Sequence, residues 1–135
     1  MKKLFVLFAL FLTACGQQPV GTLSVEAVED MYKKGVPVVD IRVPEMQQET
    51  GVLPGSHLIT VFDSNNRFTP DTFNRIAEIA GGKDQPVLLM SETGRRSSVV
   101  VKMMVEQLGF TQVYHAASGI SGWQAQGKPL VPPEQ

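Results

Sequence analysis

Short runs of aliphatic and β-branched residues, separated by amphipathic helical segments, predict an α/β fold in which a parallel sheet is covered on both faces. The candidate strands are Val38-Val39-Asp40-Ile41, Leu58-Ile59-Thr60-Val61-Phe62, Val87-Leu88-Leu89-Met90 and the segment from Gln112 to His115. The first three are almost continuously apolar, as strands buried on both sides are, rather than alternating in the way of a half-solvated sheet. The segments between them carry apolar residues at three- and four-residue spacing, the period of a helix with one buried face. A chain of 135 residues with 43% hydrophobic side chains is one domain able to bury a core.

In chain order, Ser24 caps a first helix on which Val25, Val28 and Tyr32 share a face. Glu26 lies near its positive end, and Lys33, Lys34 and Gly35 close it. Strand 38–41 follows, then a proline- and glycine-punctuated stretch, then strand 58–62. Thr69-Pro70-Asp71 starts the next helix, Phe73, Ile76, Ala77 and Ala80 form its apolar face, and Gly81-Gly82 stops it. Strand 87–90 leads to a helix over 97–108, which Gly109 ends. Val99, Val100, Val101, Met103, Met104, Val105 and Leu108 make this helix apolar over most of its circumference. It is therefore expected in the middle of the domain with Val101 and Val105 both buried, and with Lys102 and Glu106 as its exposed stripe. The last strand precedes a small helix carrying Ile120 and Trp123; Trp123 and Tyr114 read as core aromatics.

The turn between strand 87–90 and the following helix, Ser91-Glu92-Thr93-Gly94-Arg95-Arg96, is the candidate site. Ligands of open α/β sheets bind at the carboxyl ends of strands, where a loop entering a helix turns backbone N–H groups inward. Gly94 allows positive φ or close approach, and Arg95 and Arg96 add positive charge, so the loop reads as an anion cradle. The alternative is an ordinary connection with solvated arginines. Asp40 and Arg42, at the same sheet edge, read as partners that orient the loops around it, against the alternative of a solvated ion pair.

Twelve basic residues against thirteen acidic give a net charge of -1, which leaves no positive excess for a nucleic-acid backbone. One cysteine rules out an intrachain disulfide or a multi-cysteine zinc site, and His57 and His115 have no acidic or cysteine cluster beside them in sequence. No metal and no cofactor are expected.

The first residues read as an export signal: Met1-Lys2-Lys3 is positive, and the apolar run of nine residues from Leu4 to Leu12 has secretory length and is too short to span a bilayer. Leu12-Thr13-Ala14-Cys15 resembles the lipobox of bacterial lipoproteins, which implies lipid on Cys15; the alternative is an incidental cysteine in an ordinary signal peptide. The expected organisation is a signal peptide over 1–14, a lipidated cysteine and tether over 15–22, and the folded domain over 23–135. Removal of 1–14 would leave 121 residues and, with Lys2 and Lys3 gone, a net charge of -3. Gly16 after the cysteine implies an outer-membrane position facing the periplasm in an enteric-type Gram-negative cell.

Three ordered blocks resemble rhodanese-like domains. Pro86 to Met90 running into Ser91-Glu92-Thr93-Gly94-Arg95-Arg96-Ser97 is similar to that family's apolar strand and Cys-Arg-x-Gly-x-Arg-Ser loop. Asp40-Ile41-Arg42-Val43-Pro44-Glu45 with Gly51-Val52-Leu53-Pro54-Gly55 resembles its Asp-x-Arg-x-Pro-Glu and Gly-x-x-Pro-Gly motifs, and Gly109-Phe110, Val113-Tyr114, Gly119-Ile120, Trp123 and Gly127-Lys128-Pro129 resemble its C-terminal signature. The resemblance implies a three-layer α/β/α fold with a mainly parallel sheet of about five strands. It also implies descent from sulfurtransferases that carry sulfur as a persulfide on the loop cysteine.

Here that position is Ser91, whose oxygen cannot hold the S–S linkage, and Glu92 stands where arginine is usual, placing negative charge at the mouth. The resulting expectation is a membrane-anchored, catalytically inactive rhodanese-like protein that binds a small anion or a periplasmic partner protein at loop 91–96. Two alternatives stay open. One is a thiosulfate-type sulfurtransferase, which requires cysteine at position 91 of the natural gene. The other is a hydrolase using Ser91, for which the sequence supplies no adjacent base.

Overall fold

In the computed structural model, residues 21–134 are described; the expected signal peptide, Cys15 and most of the tether lie outside them. Five parallel strands form one sheet in the order β1-β5-β4-β2-β3, where β1 is Thr22–Leu23, β2 Val38–Asp40, β3 His57–Leu58, β4 Val87–Met90 and β5 Val113–Ala116. The helices are α1 (Val25–Lys33), α2 (Pro44–Thr50), α3 (Thr72–Ala80), α4 (Arg95–Gln107) and α5 (Gly119–Ala125). The parallel sheet and its covering layers are those the sequence predicts.

The period-two alternation of buried strands splits the core. Val87 and Leu89 of β4 and Val39 of β2 face one layer, where Ile76 of α3 and Val100, Val101 and Met104 of α4 pack on them. Leu88, Met90 and Val38 face the other, against Val25 and Val28 of α1 and Ile120 and Trp123 of α5. Ser24 caps α1 by accepting the Ala27 N–H at 3.2 Å.

The details differ from the sequence reading in three places. The punctuated stretch after strand 38–41 contains α2, which Pro44 opens and Gly51, at φ 86°, ends. The strand expected over 58–62 is regular only at His57 and Leu58; beyond them the Ile59 and Val61 amides still donate to the Asp40 and Ile41 carbonyls, and Phe62 bridges antiparallel to Phe68. Helix α4 lies on a face of the sheet rather than within the domain: Val101 is buried, whereas Val105 is 37% and Val99 57% exposed. Its solvent side carries Val99 and Val105 beside the exposed Lys102 and Glu106.

Candidate functional site

The carboxyl ends of β2 and β4 bring Asp40, Arg42 and loop 91–96 together. Arg42 is buried and makes a two-point contact with Asp40, Nε to Oδ1 at 3.0 Å and Nη2 to Oδ2 at 2.8 Å. Its other donors reach Thr50 Oγ1 at 2.7 Å, the Gly51 carbonyl at 2.8 Å and Glu92 Oε2 at 2.9 Å. Burial disfavours the guanidinium charge, and the hydrogen bonds and charges of Asp40 and Glu92 outweigh it, so the Arg42 pKa is raised. A fork of donors so fully used fixes α2 and the loop against the end of β2.

The loop is held from outside by α5. Ile120 N–H donates to the Ser91 carbonyl and Ser121 N–H to the Glu92 carbonyl, each at 2.9 Å. Because N–H and C=O of a trans peptide point in opposite directions, the amides of Glu92 and Thr93 are turned away from α5. Among the described residues no acceptor takes these two amides or those of Arg95 and Arg96. Gly94, at φ 87°, opens α4 in the left-handed region, and a Cβ there would lie 2.1 Å from the Ala117 carbonyl oxygen. Only glycine lets the loop close on the β5–α5 turn.

A cavity of about 400 Å³ opens over this loop, with Ser91, Glu92, Thr93, Arg95 and Arg96 on one side and Ile41, Val43 and Met46 on the other. Arg95 and Arg96 are exposed and make no ion pair among the described residues; Arg96 lies over the Phe62 ring at 5.6 Å. Four unpaired amides at the start of a thirteen-residue helix, with two guanidinium groups at the rim, can hold an oxyanion.

Ser91 is the buried centre of the loop. Its oxygen accepts the N–H groups of Gly94 at 3.2 Å and Ser97 at 3.3 Å, and its hydroxyl donates to Ser97 Oγ at 2.9 Å. Ser97 Oγ lies 3.0 Å from His115 Nδ1, and His115 Nε2 lies 3.1 Å from Thr22 Oγ1. Burial pushes the His115 imidazole below its ordinary value, against a smaller opposing hydrogen bond at Ala116.

Sequence reasoning gave Ser97, Thr22, Gln47 and Thr50 no role of their own, and it saw in His115 only a histidine with no acidic or cysteine cluster beside it. The pairing of Leu89 with His115 across β4 and β5 is what brings the imidazole to the loop, and no local motif encodes it. Gln47 reaches the Arg42 carbonyl at 3.1 Å only because α2 exists. His57 is exposed and lies away from the cavity lining. No cluster of three or more His, Cys, Asp and Glu side chains able to hold a metal occurs among the described residues.

The rhodanese-like domain family model matches residues 24–126. Among curated proteins none matches. Solved structures similar to the chain include a protein of unknown function from Rhodopseudomonas palustris described as a possible tyrosine phosphatase, at 24% identity and TM-score 0.63, covering 83% of this chain and 85% of that one. A rhodanese-related protein from Thermoplasma volcanium has 21% identity and TM-score 0.65, covering 84% and 99%. A thiosulfate sulfurtransferase from Pseudomonas aeruginosa has 19% identity and TM-score 0.68; 86% of this chain covers 21% of that larger one. At these identities the likeness is one of fold.

Proposed function

The chain belongs to the rhodanese-like domain family, and on that premise we propose that it is a lipid-anchored member whose loop 91–96 binds a small oxyanion, or the anionic group of a periplasmic partner protein, without carrying sulfur. The observation that supports this most directly is the state of Ser91. The family resemblance puts a sulfur-bearing cysteine at this position, and here a serine spends its hydroxyl on Ser97 and its lone pairs on two backbone amides. The charge-binding half of a sulfurtransferase site is retained, and the atom that forms persulfide is not.

The test pairs a thiosulfate:cyanide assay with a sulfate titration followed by amide chemical shifts. Background turnover, with shifts confined to Glu92, Thr93, Arg95 and Arg96 and weakened by added salt, is the expected result. Clear turnover with Ser91 in place would replace this reading by the sulfurtransferase one.

Anchoring rests on the Leu12-Thr13-Ala14-Cys15 sequence and on Gly16. Intact mass of the processed protein should show diacylglyceryl and acyl groups on Cys15, and Cys15→Ala should release the domain from the membrane fraction or leave the precursor uncut. Fractionation should find the lipidated form in the outer membrane, facing the periplasm.

A further inference from the structure

Ser91, Ser97 and His115 are all buried and lie on one line of hydrogen bonds that anion binding does not use: 2.9 Å between the two hydroxyl oxygens, then 3.0 Å from Ser97 Oγ to His115 Nδ1. We propose that this line is a proton relay that makes Ser91 an acyl-accepting nucleophile, so that the domain hydrolyses small carboxylic esters bearing an anionic group. The sequence offers no base beside Ser91; the fold supplies one at the second hydrogen bond.

Each part that acyl transfer needs has a counterpart. His115 is desolvated, which favours the neutral imidazole that a base must be. With its proton on Nε2, facing Thr22 Oγ1, the Nδ1 lone pair is turned to Ser97, whose hydroxyl proton has two acceptors within reach, this nitrogen at 3.0 Å and the Gly94 carbonyl at 3.2 Å. From α4, Ser98, Lys102 and Glu106 line a second cavity, of about 300 Å³, that His115 and Thr22 also border, so the charged groups sharing that cavity with the ring are one lysine and one carboxylate. The amides of Glu92 and Thr93 follow the nucleophile directly, have no acceptor, and can receive the negative oxygen of a tetrahedral adduct. Ile41, Val43 and Met46 offer the acyl chain an apolar wall, and Arg95 and Arg96 face the anionic group.

In the first step Ser91 Oγ gives up its 3.2 Å contact with the Gly94 amide, and the lone pair so freed bonds to the ester carbonyl carbon while the Ser91 proton passes to Ser97 Oγ and the Ser97 proton passes to His115 Nδ1. Collapse of the adduct breaks the bond to the alcohol oxygen, which takes up the proton returned along the same line. Water then attacks the acyl-serine, the relay runs again, and the carboxylic acid leaves. Water is the only co-reactant.

The experiment treats the folded protein with a fluorophosphonate probe and, separately, with 4-nitrophenyl hydrogen succinate. The expected result is a single adduct, mapped to Ser91 by peptide mass spectrometry, and saturable release of nitrophenolate. Ser97→Ala and His115→Gln should each lower both rates about 100-fold with the circular dichroism unchanged, and Ser97→Thr, which keeps the hydroxyl, should restore much of the rate. The wild-type rate should fall as His115 takes a proton, and His115→Gln should lack that limb. An unmodified Ser91, or rates that ignore both substitutions, would overturn the proposal. A parallel sulfate titration separates the two readings. Sulfate binding without an adduct removes the relay and leaves the anion site, whereas an adduct without sulfate binding does the reverse.

Discussion

The guanidinium of Arg42 donates to the carboxylate of Glu92 across 2.9 Å, although fifty positions separate them in the chain. Glu92 is therefore not a free negative charge at the mouth, as its place in the sequence suggests. Its side chain is 31% exposed, and its carboxylate is shared with a buried guanidinium already paired with Asp40.

Substitution at Glu92 should therefore act on stability as well as on binding. Glu92→Gln removes one charge-assisted hydrogen bond and leaves Arg42 its partners on Asp40, Thr50 and Gly51; the expected cost is about 0.5–1.5 kcal/mol, because the pair is partly solvated. Sulfate should bind several-fold more tightly. Glu92→Arg sets a second guanidinium against the first and should cost about 1–3 kcal/mol, even though its charge favours anions. Denaturant midpoints and sulfate titrations on the two variants check this; a Glu92→Arg protein as stable as wild type would mean that the Arg42 contact contributes nothing.

Ser91→Cys should place a sulfur where the Gly94 and Ser97 amides and the Ser97 hydroxyl now meet Ser91 Oγ. The two amides donate to that position and favour the thiolate, as does the start of α4, so the introduced thiol should titrate below the free value of about 8.5. It should also accept sulfur from thiosulfate as a persulfide visible by mass. Ultraviolet titration of the thiolate decides the first point, and a pKa at or above the free value would show that the loop donors do not converge on position 91.

How much of this was legible in the sequence depended on whether the signal was local. The buried strands around Val38 and Val87, the cap at Ser24 and the Gly94 turn each depend on a few neighbouring residues, and each is where the sequence reading put it. Helix α2 was hidden because Pro44 reads equally as a turn residue and as the first residue of a helix. The face of α4 was misjudged because Val99, Val101 and Val105 are chemically alike, and only the sheet beneath selects among them. The Ser91–Ser97–His115 line was illegible for a different reason. It depends on β5 lying next to β4, and strand order is a property of the whole chain.

The α4 correction carries its own stability prediction. Val101 is 3% exposed and packs in the cluster with Leu89 and Val113, so Val101→Ala should cost about 1–3 kcal/mol through lost burial and a residual cavity. Val105 is 37% exposed, and Val105→Ala should stay within about 0.5 kcal/mol, with helix propensity offsetting the little burial lost. Lys102→Ala belongs with Val105. Urea midpoints for the three variants test the assignment, and equal losses at Val101 and Val105 would mean that both sides of the helix are packed.

The buried imidazole also predicts how stability depends on pH. His115 titrates below its ordinary 6.5 in the folded protein, chiefly through desolvation, whereas in the unfolded chain it takes a proton near that value. Below about 6.5 the unfolded state therefore binds more protons than the folded one, and the sign is fixed: stability is complete above that pH and is lost progressively as pH falls toward the folded pKa. The half-buried carboxylate of Glu29 acts elsewhere on the scale. Hydrogen bonds from Lys128 and Lys33 hold its pKa down to about 2, so its contribution is present above the unfolded carboxylate range and disappears only as pH approaches that value. Chemical denaturation at intervals from pH 7.5 to 5 should show a decline that His115→Gln abolishes and Lys128→Ala leaves in place. A decline unchanged in His115→Gln would assign it to another group and remove the neutral, buried imidazole on which the Ser97 contact depends.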